Sequence, residues 1–209
     1  TTVIQTAAEA RDVEKAQFWF KSLQDHGLRP DTACVGALIC AHGSVGDVQS
    51  ALKCLRILKG KYDFVIYAQM VRAYANARSL RDKPATWLDS SDKPPKRLRT
   101  RAWDPASHTT SSRVDGAEFW LMELKAQGFR PDLGIYNSVL QACAETVVGS
   151  RGEYWIKCMK NEGIRPDALS FQHLIISHSR KRYKKRIEAL VREGLRSVKK
   201  DRQLVFSAG

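Results

Sequence analysis

The sequence predicts an all-α fold, a right-handed α-solenoid of stacked helix–turn–helix units, on three observations. Three segments share one pattern: Ala16-Gln17-Phe18-Trp19 running to Gly27-Leu28-Arg29-Pro30-Asp31, Ala117-Glu118-Phe119-Trp120 to Gly128-Phe129-Arg130-Pro131-Asp132, and Gly152-Glu153-Tyr154-Trp155 to Gly163-Ile164-Arg165-Pro166-Asp167. Trp120 and Trp155 stand 35 residues apart, as do Asp132 and Asp167, and a fixed period in this range marks supersecondary units that bury their apolar faces against neighbours. The third observation is a helical stripe that recurs at one phase. Apolar residues at i, i+3, i+4 and i+7 give Val35, Leu38, Ile39, His42; Tyr67, Met70, Val71, Tyr74; Tyr136, Val139, Leu140, Cys143; and Phe171, Leu174, Ile175, His178.

The units follow in order from the closing aspartates. Residues 1–31 are a partial repeat, with Thr1 to Ala10 ending a first helix and Asp12 to His26 forming a second. Residues 32–63 are a repeat whose close is worn down to Gly60-Lys61-Tyr62-Asp63. A third repeat, 64–132, is interrupted at 80–112, where Pro84, Pro94, Pro95 and Pro105 sit among polar and basic residues. So little apolar content predicts an extended loop. Residues 133–167 are a full repeat, 168–202 a degenerate terminal one ending in a basic helix from about Lys181 to Lys200, and 203–209 a tail. Within the second helices, Ala16, Ala51, Ala117 and Gly152 are small enough for close approach. Phe119 and Met122 are expected to face the partner helix, with Trp120 and Leu124 on the adjoining face. Each Gly after a second helix is expected to end it in the left-handed conformation, and the Pro that follows prevents continuation.

Composition narrows the partner class. The 209 residues carry 35 Lys and Arg against 22 Asp and Glu, a net charge of +13, which favours an anionic partner such as nucleic acid. Eleven of those basic residues and three acids fall between Arg180 and Arg202, with Ile187, Leu190, Val191, Leu195 and Val198 as the expected packing stripe. No stretch reaches the roughly 18 apolar residues of a membrane helix, so membrane insertion is not expected. The five cysteines form no CxxC pair and read as small core residues of a reducing compartment. His26, His42, His108, His173 and His178 are scattered, and no Gly-rich phosphate loop, HExxH motif or carboxylate cluster is present. An enzyme, a metal site or a cofactor is not expected.

The 35-residue period, Tyr136-Asn137-Ser138-Val139-Leu140 and the Gly-x-x-Pro-Asp close resemble the pentatricopeptide repeat family. The resemblance implies RNA metabolism in a mitochondrion or plastid. It further implies that a polar residue of each first helix and the closing residue of the unit contact one base, which pairs Thr1 with Asp31, Gly36 with Asp63, Ala68 with Asp132 and Asn137 with Asp167. By that pattern Thr–Asp suits guanine and Asn–Asp suits uracil; Gly36 and Ala68 offer no edge, and Gln172 lacks a closing partner. The family's base-sandwiching positions are held by Ala33, Val65, Gly134 and Leu169. Expected phosphate contacts are Lys96, Arg97, Arg99 and Arg101 of the insertion, and Arg180, Lys181, Arg182, Lys184, Lys185, Arg186, Arg192, Arg196 and Lys199 of the terminal segment. The expected partner is RNA, either rRNA or an organellar transcript, within a ribonucleoprotein such as an organellar ribosome. The other expected role is an architectural subunit binding other proteins of a large organellar complex.

Overall fold

The computed structural model describes residues 2–58, 62–77, 112–146, 149–179 and 184–207. All the regular elements among them are helical. The contacts divide the chain into two compact units, residues 1–119 and 120–209.

In the first unit, α1 (Thr2–Glu9) pairs with α2 (Val13–Asp25), and α3 (Thr32–Val45) with α4 (Val48–Leu55), which ends in a 3-10 turn at Arg56–Leu58. α5 (Phe64–Asn76) follows, and α6 (Ser112–Ala126) begins in this unit. The first helices α1, α3 and α5 stack side by side. Their stripes supply the core: Val35, Leu38, Ile39 and His42 are buried on α3, and Tyr67, Met70, Val71 and Tyr74 on α5. Removing each such aliphatic side chain from water contributes about 1.5–3 kcal/mol, an upper bound since denatured chains are already partly collapsed. Close approach depends on small residues. A Cβ on Gly43 would meet Ala73 Cβ at 3.1 Å, and one on Gly116 would collide with the Tyr74 ring, so α6 starts directly against α5.

The second unit contains the rest of α6, α7 (Leu133–Thr146), α8 (Gly149–Asn161), α9 (Ala168–Ser179) and α10 (Lys184–Ser207). α7 and α8 form a hairpin, α9 lies on both, and α10 packs on α9. Tyr136, Val139, Leu140 and Cys143 are fully buried, and Phe171, Leu174 and His178 are buried on α9, with Ile175 half-buried. A polar staple joins α6 to this hairpin. Lys125 Nζ donates to Tyr136 Oη at 2.7 Å and to Glu162 Oε1 at 2.6 Å, and Tyr136 Oη donates to Glu162 Oε2 at 2.8 Å. The same ammonium lies 5.1 Å from the Tyr136 ring centroid and 5.6 Å from that of Trp155.

Local chemistry sets the helix ends. Asp12, Asp31, Asp47 and Asp63 each accept from the backbone N–H three residues on, at 2.7–3.1 Å, and Asp132 and Asp167 do so at 2.8 Å. Gly27, Gly128 and Gly163 have φ of 71°, 84° and 76°, the left-handed conformation a C-terminal cap requires. Leu28, Phe129 and Ile164 N–H then reach back to the carbonyls of Leu23, Leu124 and Met159.

Four sequence expectations are corrected. On α6, Trp120, Leu121 and Leu124 are buried beside Ala117 while Phe119 and Met122 are half-exposed, so the packing face is rotated from the one expected. On α10, Leu190 and Gly194 face inward with Ile187 half-buried, whereas Val191 and Leu195 are exposed. A Cβ on Gly194 would sit 3.2 Å from Phe171, so beside Leu190 it is a missing side chain that lets α10 come close to α9. α10 also continues to Ser207, through most of the segment read as a tail, and Ser112, placed at the edge of the insertion, is the first residue of α6.

Candidate nucleic-acid interface

The candidate base-reading pair Asn137 and Asp167 lies at the starts of α7 and α9. Asn137 is in the first turns of α7 and 7% exposed, and Asp167 precedes α9, where its carboxylate caps the helix on Ser170 N–H at 2.8 Å. The structure brings this pair together. Asn137 Nδ2 donates to Asp167 Oδ1 at 3.2 Å and Oδ2 at 3.4 Å, and the Ser170 hydroxyl donates to Asn137 Oδ1 at 2.6 Å. Ser170 Oγ also lies 2.8 Å from Asp167 Oδ1 and accepts Asp167 N–H at 3.2 Å, a reciprocal cap in which Ser takes the place usual for Glu or Gln. Burial pushes the Asp167 pKa up, but the bonds from Ser170 and Asn137 outweigh it and hold the carboxyl below its usual range. Both ends of the Asn137 amide are therefore satisfied within the protein.

Sequence reasoning missed Ser170. Its signal was Asp-x-x-Ser at Asp167–Ser170, the spacing of a capping box, but its reach to Asn137 spans two helices and no local pattern encodes it.

Around this network the sandwich positions are open. Val65 is 52% and Leu169 43% exposed, and Ala33 and Gly134 are exposed as well. A Cβ on Gly134 would meet Asp132 Oδ1 at an ordinary 3.4 Å. Gln172 is exposed on α9. Asp31 is exposed and caps α3; the hydrogen bonds from Cys34 hold its carboxyl below the usual range. Its expected partner Thr1 lies outside the described residues, as do Lys96, Arg97, Arg99, Arg101, Arg180, Lys181 and Arg182.

Basic side chains line the outer face of α10. Lys185, Arg186, Arg192 and Arg196 are exposed, and Lys184 and Lys199 lie on the same helix. Arg186 Nε donates to Glu153 Oε1 at 2.8 Å, and His178 Nε2 is 3.1 Å from the same oxygen, so Arg186 is committed to the α8–α10 contact. Arg192 reaches Glu188 one turn away at 3.8 Å, an exposed pair of small energetic weight. His42 is buried with Nε2 3.2 Å from the Gln17 amide and Nδ1 3.2 Å from the Asp47 carboxylate. Burial lowers its pKa against the pull of Asp47. Among the described residues no group of three or more His, Cys, Asp or Glu could hold a metal ion, and no helix is long and apolar enough to cross a membrane.

Residues 120–180, the stretch carrying the Trp–Tyr–Pro–Asp geometry above, match the family model of the pentatricopeptide repeat domain. Over that stretch the chain is similar to the pentatricopeptide repeat family. The chain is 26% identical over 143 residues to a chloroplastic pentatricopeptide repeat-containing protein of Arabidopsis thaliana, a match covering 66% of the chain and 16% of that relative. In fold it resembles pentatricopeptide repeat protein PPR10, solved in complex with an 18-nucleotide psaJ RNA element, with a TM-score of 0.67 and 16% identity over 91% of this chain and 23% of that one. A cysteine-to-serine form of PPR10 bound to the same kind of RNA element gives the same values. The chain thus spans less than a quarter of the length of these proteins.

Proposed function

We propose that this protein is a non-catalytic, RNA-binding pentatricopeptide repeat protein of organellar RNA metabolism that contacts mainly phosphates. The observation carrying the reading is the outer face of α10, where Lys185, Arg192 and Arg196 are exposed while Leu190 and Gly194 dock the opposite face on α9. Oriented positive charge of this kind neutralises phosphates and releases counterions whatever the base sequence. The RNA-bound state of PPR10 and the chloroplastic name of the Arabidopsis relative support RNA and an organelle as the setting. Within it, membership of a ribonucleoprotein such as an organellar ribosome, in a mitochondrion or plastid, is the finer reading.

The test is RNA binding as a function of salt. Replacing Lys185, Arg192 and Arg196 by Gln is expected to weaken binding to unrelated sequences alike. It should also flatten the slope of log affinity against log salt by about 2, at roughly 0.7 per lost phosphate contact on a single strand. Equal affinity and slope in the variant would remove α10 from the interface. The closed Asn137–Asp167–Ser170 network favours a second reading, a protein-binding scaffold. It takes over if the wild type binds no RNA at moderate salt and co-purifies with proteins alone.

A further inference from the structure

One repeat carries an aromatic box, and the next carries the same box without its indole. In the first, the Trp155 ring packs 6.1 Å from the Tyr136 ring, and the Lys125 ammonium lies 5.6 Å from the Trp155 centroid. Thirty-five residues on, Lys125 recurs as Lys160 and Tyr136 as Phe171, but Trp155 becomes Leu190 and the buried Met159 becomes Gly194. The lysine and the aromatic floor are kept while two large side chains are lost. What remains is a surface groove of about 330 Å³ lined by Lys160, Ile164, Arg165, Pro166, Phe171 and Glu193. That is the low end of the size of ligand sites, suited to a single side chain. We propose that this groove is a docking site for an aromatic side chain in an acidic segment of a partner protein, its ring taking the place that Trp155 takes one repeat earlier.

Charge sets the chemistry around the ring. Lys160 Nζ reaches Glu193 Oε1 at 2.6 Å with both side chains 46% exposed, a pair of small energetic weight that an incoming carboxylate can replace. In the earlier box Lys125 likewise donates to a carboxylate, that of Glu162. Arg165 is exposed at the rim, and Arg196, about one turn of α10 beyond Glu193, is exposed too, so an acidic flank is attracted and a basic one repelled. Position favours a polypeptide over a base. Phe171 is buried where Gly194 brings α10 close to α9, whereas Leu169, a candidate base-sandwiching position, is exposed. Two residues are about 200° of helical rotation, so Phe171 and its groove lie on the far side of α9 from Leu169. The docking site therefore stands whether or not the chain binds RNA.

The experiment is fluorescence anisotropy of a labelled Glu-Asp-Trp-Asp-Glu peptide with the full chain at moderate salt. Replacing the peptide's Trp by Ala at unchanged charge is expected to weaken binding about tenfold or more, as removal of a pocketed anchor ring does. Lys160→Glu should cost a similar factor, because it turns an attracting rim into a repelling one. Leu190→Trp supplies the missing indole from within and should exclude the peptide. Ile164→Trp fills the groove from its rim and decides the matter if the buried change costs helical content. Both filled chains are expected to treat uridine homopolymer as the wild type does. Equal binding of the two peptides, binding indifferent to Lys160→Glu, or undiminished binding by the folded filled chains overturns the proposal. So does loss of homopolymer binding along with peptide binding in the filled chains, which would make a base the occupant.

Discussion

Asp167 closes one repeat, caps the first helix of the next, and holds Asn137 through both carboxylate oxygens. Its pKa lies below the ordinary value in the folded chain, so the unfolded chain takes up a proton first as the pH falls. Stability from this group is therefore fully present above the unfolded pKa of about 3.9 and is lost as pH falls through the folded pKa. Asp167→Asn keeps an oxygen to cap α9 but cannot titrate; it is expected to decline less steeply than wild type between about pH 5 and pH 2 in urea midpoints. Asp167→Ala loses the cap itself and is expected to lower stability by about 1 kcal/mol at neutral pH. Identical acid limbs for wild type and the Asn variant would show that other carboxylates dominate, with Glu162 and Glu153, also held below their usual range, as the alternatives.

At the scale of elements, the first helices were legible because one stripe recurs in each at the same phase, although burial on α3 and α7 reaches beyond it to Cys34, Ala37 and Ala41 and to Ile135, Ala142 and Ala144. The second helices were less so. α8 packs against both α7 and α9 through Gly152, Trp155, Ile156 and Met159, a single stripe that takes in one member of the aromatic pair and leaves the other outside. The aromatic pair misleads for the same reason: Trp155 tucks against Tyr136 and under Lys125 while its neighbour Tyr154 is 58% exposed. The glycines were legible as helix ends, but not how tightly each is held. Gly128 has φ of 84° and a methyl group added there would meet nothing within 4 Å, whereas at Gly46, φ 78°, an added methyl would fall 2.5 Å from the Asn76 carbonyl oxygen. Gly128→Ala is expected to cost about 1 kcal/mol, the left-handed strain alone. Gly46→Ala adds a backbone clash between the α3–α4 turn and the end of α5 and is expected to cost at least twice as much by chemical denaturation. Equal losses would mean that the turn moves aside freely.

On the scale of the whole molecule, the repeat period pointed to the helical-repeat architecture, while the closure of the Asn137–Asp167 pair depended on a hydroxyl 33 residues from Asn137 in sequence. The basic insertion raises a separate question, because Lys96, Arg97, Arg99 and Arg101 lie outside the described residues. What the structure does give is the pairing on either side of it: Gly116 of α6 lies against the Tyr74 ring of α5, with no room for a methyl group between them. That contact needs a connection but not a long one. Closing a flexible loop costs only about 0.6 kcal/mol for each doubling of its length, so replacing residues 80–111 with a short Gly-Ser turn removes a small entropic cost. The shortened chain is expected to keep its helical circular dichroism and to melt at the wild-type temperature or a few degrees above it. On the proposed phosphate-contact reading, its RNA affinity should fall with a shallower salt dependence, because four candidate contacts are removed. A large drop in melting temperature would instead assign the segment to the packed core, and unchanged RNA binding would confine phosphate contact to the terminal helix.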